Sequence, residues 1–127
     1  MAKLDMIGLT CRDIAASLAF YKLLGVNTPT EWEGPYCETT LEGGIRLSWN
    51  DERMIREVEG EHFVEPKGQR TGLAFLFESP AGVDAKYDEL VAAGYVGVMP
   101  PWDAFWGQRY ARISDPDSAV VDLFAWL

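Results

Sequence analysis

The sequence predicts an α+β fold built from two copies of one strand–helix–strands unit. Three observations predict it. Apolar patterning switches from strand-like to helical spacing and back, twice along the 127 residues. Each helical stretch opens on a capping residue and ends at a glycine. The two halves also align weakly where they begin, Met6-Ile7-Gly8-Leu9 over Gly72-Leu73-Ala74-Phe75. That is a repeat of roughly 65 residues and suggests duplication. One such unit is too small for a robust core, so two units packed together, or a dimer, are expected.

The elements follow in order. Residues 4–11 read as a strand. Asp13 caps a helix whose face carries Ile14, Leu18, Tyr21 and Leu24 or its neighbour, and Gly25 ends it. Two strands are expected at 36–42 and 45–49, joined by a tight turn at Gly43-Gly44. Residues 50–69 read as a polar linker with a helical turn at 51–58. A strand at 70–78 restarts the pattern. Ser79-Pro80 caps a helix striped by Val83, Tyr87, Leu90 and Val91, and Gly94 closes it. Strands at 95–99, 108–114 and 119–126 complete the chain, the last two joined by the turn Asp115-Pro116-Asp117-Ser118. Residues 100–107 are expected to form an aromatic-rich loop. The organisation is one domain over 1–127, with module one at about 1–57, a linker at about 58–69 and module two at about 70–127.

Composition narrows the function classes. Twenty acidic residues against eleven basic ones give a net charge of −9, which disfavours nucleic acid as a partner. Residues 31–65 hold ten acids against three arginines, a local net of −7. This reads as a solvated face or as a field that attracts cations. No apolar run approaches the roughly 20 residues that span a bilayer, so no membrane partner is expected. The opening Met1-Ala2-Lys3-Leu4-Asp5 lacks the apolar core of a signal peptide, and the expected location is the cytoplasm. Cys11 and Cys37 are expected to be reduced and packed.

Two stretches carry a family resemblance. The opening Leu4–Ile14 with Ser17-Leu18-Ala19-Phe20-Tyr21 and Leu24-Gly25 resembles the start of a vicinal oxygen chelate protein, a superfamily of glyoxalases, extradiol dioxygenases and bleomycin resistance proteins. Trp106-Gly107-Gln108-Arg109, then Asp115-Pro116-Asp117 and Val121-Asp122-Leu123-Phe124, resembles its end and points to the bleomycin resistance-like branch. The resemblance implies paired βαβββ modules, each curling into a half-barrel sheet around a cleft, and assembly as a homodimer.

The resemblance also implies four metal-ligand positions, usually His and Glu. Here they fall at Met6, near Arg46, at Gly72 and at Asp122. A thioether, a guanidinium and a glycine offer nothing suitable to a hard divalent ion. Neither a metal nor another cofactor is therefore expected, and enzyme activity of the family type is disfavoured. His62, the one histidine, lies in the acidic linker, which argues against Ser–His or Cys–His nucleophilic catalysis. Asp115 and Asp117 read as turn chemistry rather than a catalytic pair.

Aromatics are the remaining signal. Sixteen Trp, Tyr and Phe make up 13% of the chain. The expected function is metal-independent binding of a small aromatic ligand, in some versions cationic, as in antibiotic sequestration. Trp49, Trp102, Phe105 and Trp106 are the candidates for stacking, and Asp122 and Arg46 for polar contacts. Arg109 belongs either to the rim or to a structural ion pair. Alternation separates Arg46 and Ser48 from Leu47 and Trp49, leaving open which pair faces inward. The alternatives are a lyase or oxidoreductase with an atypical metal site, and a partner-binding module.

Overall fold

Residues 1–127 are described by a computed structural model. The chain divides into two units, Met1–Glu65 and Pro66–Leu127. In the first, the strands Met6–Cys11 (β1), Tyr36–Thr40 (β2) and Arg46–Asp51 (β3) form a sheet of order β1-β3-β2, with β1 parallel and β2 antiparallel to β3. Helix Ile14–Leu23 (α1) starts where Asp13 accepts a hydrogen bond from the Ala16 amide. Its buried stripe of Ile14, Leu18 and Tyr21 meets β3, where Trp49 lies edge-on to Tyr21 at 6.2 Å. Each large apolar side chain buried here contributes about 1.5–3 kcal/mol. The hairpin β2–β3 turns at Gly43 and Gly44, both at positive φ (95° and 96°), which residues bearing a Cβ rarely adopt.

The first module departs from the expected βαβββ order. After β3 the chain enters helix Glu52–Glu59 (α2) and a short 3₁₀ turn at Gly60–His62 instead of pairing a further strand. Asp51 is the cause. Its carboxylate accepts from the Arg53 amide at 2.8 Å and caps α2, so the last residue of β3 is also the helix start.

The second unit keeps the full order. Strands Leu73–Leu76 (β4), Gly97–Ala104 (β5), Gln108–Ser114 (β6) and Val120–Trp126 (β7) form a sheet of order β4-β7-β6-β5. Helix Pro80–Ala92 (α3) covers one face, capped by Ser79 and opened by Pro80. Val83 and Leu90 of α3 are fully buried on the side occupied by Ala111, Ile113, Val121 and Leu123. At the start of β5, Gly97 leaves room for Tyr87 of α3, since a Cβ there would lie 2.1 Å from the Tyr87 hydroxyl.

The expected loop at 100–107 is the clearest correction. Residues 100–104 continue β5, with register shifts between Gly97 and Met99 and between Met99 and Trp102. Prolines are tolerated there because β5 is the edge strand, where a missing N–H breaks no ladder bond on the open side. Residues 105–107 alone form the turn into β6.

The β6–β7 turn carries one strained residue. Asp115 accepts from the Asp117 and Ala119 amides at 2.8 and 2.9 Å, which draws Ser118 to φ 69°. Relieving that conformation outweighs glycine's extra unfolded-state entropy. Ser118→Gly is therefore expected to raise unfolding stability by about 0.5–1 kcal/mol, read by urea denaturation; a loss of stability would show that Ser118 is not strained.

Candidate functional site

Alternation in β6 builds the site. Arg109 pairs with Asp84 of α3 at 2.9 Å, and Ala111 and Ile113 are fully buried on the same helix side. Tyr110 and Arg112 therefore project from the opposite face. The β7 register sets Phe124 across from Tyr110 and Asp122 across from Arg112, while Trp102 of β5 also pairs with Tyr110.

A continuous run of rings results. Trp106 lies edge-on to Trp102 (5.6 Å), Phe105 (4.9 Å) and Tyr110 (5.3 Å). Tyr110 stacks on Phe124 at 6.3 Å, and Phe124 meets Trp126 edge-on at 6.1 Å. These geometries suit the ring quadrupoles. The surface is nonetheless open, with Phe105 92% and Trp126 63% exposed. An exposed run of rings is the kind of feature that makes this face the candidate site.

Asp122 lies at the foot of this run. The Tyr110 hydroxyl donates to its Oδ2, and Arg112 Nε donates to its Oδ1 at 2.8 Å. Burial first, then the hydrogen bond to Asp122 and its charge, push the Tyr110 phenol up to about 12, against an opposing effect from Arg112.

The first sheet carries a related cluster on its helix-distal face. The Tyr36 hydroxyl lies 2.9 Å from Glu38, and Arg46 bridges Glu38 and Asp5. Trp49 does not join it. It is fully buried on the α1 side and offers no surface for a ligand to stack on, because alternation sets it opposite Arg46. Of the sequence-predicted residues, the structure thus brings together Trp102, Phe105, Trp106 and Asp122, and leaves Trp49 and Arg46 in the other unit. Arg109 is a structural ion pair, joined to Asp84 and Asp103.

A concavity of about 530 Å³ lies elsewhere, lined by Arg12, Asp13, Trp32, Asp51 and Arg53 among others. Its two aspartates already cap α1 and α2, so the aromatic face is the stronger site.

The family model for the glyoxalase/bleomycin resistance protein/dioxygenase superfamily matches residues 3–123. The chain belongs to this superfamily. Solved structures agree. A glyoxalase/bleomycin resistance protein/dioxygenase from Nocardioides is 27% identical with a TM-score of 0.76, over 100% of this chain and 85% of that one. A protein from Agrobacterium tumefaciens solved by solution NMR is 30% identical with a TM-score of 0.70, over 100% and 99%. An enzyme of the same family from Burkholderia phytofirmans shares the fold at a TM-score of 0.84 and 23% identity, over 99% and 100%. Among curated proteins, none matches the chain.

The superfamily's metal chemistry can be tested on the observed registers. Asp122 pairs with Ala74, two residues past Gly72. The same step from Met6 reaches Gly8, which pairs with Ser48. The first-sheet counterpart of Asp122 is therefore Ser48, not Arg46. Met6, Ser48, Gly72 and Asp122 supply one carboxylate among four positions, which does not fit a divalent metal. No three His, Cys, Asp or Glu side chains gather elsewhere, and His62 is exposed beside Glu61.

Sequence reasoning missed Tyr110, Arg112, Phe124 and Trp126 as members of the site. The signal was present as even spacing in β6 and β7, whose even-numbered residues share the face.

The raised phenol of Tyr110 has a stability consequence. Its protonated form is favoured by folding, so the contribution is fully present below the ordinary value of 10.0 and is lost as pH rises through about 12. Urea unfolding across that interval is expected to show falling stability, with a shallower fall in Tyr110→Phe; equal slopes would contradict the assignment.

Proposed function

We propose that this chain binds a flat aromatic small molecule without a metal and holds it stoichiometrically, making and breaking no bond. The single observation that carries this reading is the run of rings from Trp102 to Trp126 above Asp122. Such rings supply large apolar area, and stacking a flat heterocycle on one is worth about 1–3 kcal/mol. Sequestration of a planar drug is the role this suits, with bleomycin-type antibiotics the first compounds to try. We place it in the cytoplasm as a homodimer, with neither nucleic acid nor membrane as a partner. The chain has no helix long and apolar enough to cross a membrane. A metal-dependent lyase or oxidoreductase is the weaker reading, because the four metal positions hold one carboxylate.

A thermal-shift screen of the metal-stripped protein tests this, with bleomycin-type glycopeptides, quinones and planar dyes in one arm and divalent metals in another. A ligand at 100 times its dissociation constant stabilises by about 2.7 kcal/mol, a shift of several degrees. Stabilisation by a planar compound alone is the expected result, and stabilisation by a metal alone would overturn it. Trp106→Ala is expected to weaken the best compound by about 1–3 kcal/mol in a fluorescence titration, while Trp32→Ala, at the 530 Å³ concavity, leaves it unchanged. The reverse pattern would move the site to that concavity.

A further inference from the structure

How the arginines are used says what charge the ligand carries. Three arginines with side chains less than half exposed each bridge two carboxylates. Arg46 (35% exposed) holds Asp5 and Glu38, Arg56 (44%) holds Glu52 and Glu65, and Arg109 (26%) holds Asp84 and Asp103. Arg112 is comparably covered at 37% and holds one carboxylate, Asp122, through Nε. A guanidinium presents five N–H donors on a rigid fork, so the two outer nitrogens of Arg112 remain for a second acceptor. Asp122 already accepts one hydrogen bond on each oxygen, from Tyr110 and from Arg112.

Placement completes the argument. Arg112 lies two residues from Tyr110 on the same strand face, about 7 Å along β6. A compound stacked along Tyr110 and Trp106 with an acidic group at one end spans that distance. We propose that Arg112 is the anchoring residue of the aromatic face and that its ligand is an aromatic carboxylate, the oxyanion taking the place that a second side-chain carboxylate takes on Arg46, Arg56 and Arg109. This rests on the reading that a flat aromatic compound occupies the face. The net charge of −9 slows the approach of such an anion but is screened beyond about 8 Å at physiological salt, so contact with Arg112 decides binding.

Three probes sharing one ring system test it: 2-naphthoate, 2-naphthylmethanol and 2-naphthylmethylammonium, titrated by tryptophan fluorescence. The wild-type chain is expected to bind the carboxylate about tenfold or more tighter than the alcohol, as a charge-assisted hydrogen-bonded pair requires. Arg112→Gln is expected to abolish that preference and leave the alcohol's affinity unchanged. Equal or tighter binding of the alcohol or the ammonium by the wild type, or a preference that survives in Arg112→Gln, overturns the proposal. If the alcohol and ammonium bind and the carboxylate does not, only the acidic-ligand assignment falls. If none of the three binds, the aromatic-ligand reading falls with it. Should Arg112→Gln fail to fold, Arg112→Lys reads the same quantity, because it keeps the charge and loses the planar fork. A reduced preference then supports the proposal, and one unchanged from wild type overturns it.

Discussion

Each sheet has its principal helix on one face only, and that single constraint sorts the side chains of this protein. Period-two alternation sends one set of each strand into the helix-backed core and the other to the opposite face. In the second unit the core set is Ala111, Ile113, Val121 and Leu123, all but closed to solvent. The remaining set is Tyr110, Arg112, Asp122, Phe124 and Trp126, and it is the candidate site. A one-residue slip between β6 and β7 would exchange the two sets, so the register that builds the core also builds the site.

The two units use the same face differently. Both carry a tyrosine, a carboxylate and an arginine there: Tyr36, Glu38 and Arg46 in the first, Tyr110, Asp122 and Arg112 in the second. In the first unit the arginine is held between two carboxylates and the neighbouring positions are Ser48 and Asn50. In the second the arginine is half engaged and the neighbours are aromatic. The first face is thus crossed by its own ion pairs, and the second carries aromatic rings beside a less engaged arginine. Asp122, the one carboxylate at a superfamily ligand position, is engaged by Tyr110 and Arg112.

Much of this was legible in the chain because the signals are local. Caps at Asp13 and Ser79, the Gly43-Gly44 hairpin and the Asp115–Ser118 turn involve residues within a few positions of one another. The β5 strand was not legible. Pro100-Pro101 reads as a breaker unless the strand is known to sit at a sheet edge, and edge position is a property of the sheet, not of the segment. The end of β3 was obscured similarly, since Asp51 serves both as strand residue and as helix cap.

The sequence by itself determined the α+β class, the superfamily and three of the aromatic residues in the candidate site. These depend on composition, periodicity and motif spacing along one dimension. Tertiary structure alone decided that Trp49 belongs to the core, that Ser48 rather than Arg46 is the counterpart of Asp122, and that Arg112 retains donors which Arg46 and Arg109 have used. The physical reason is that a residue's face, register partner and remaining hydrogen-bonding capacity are set by strands distant in sequence, and only folding brings those strands together.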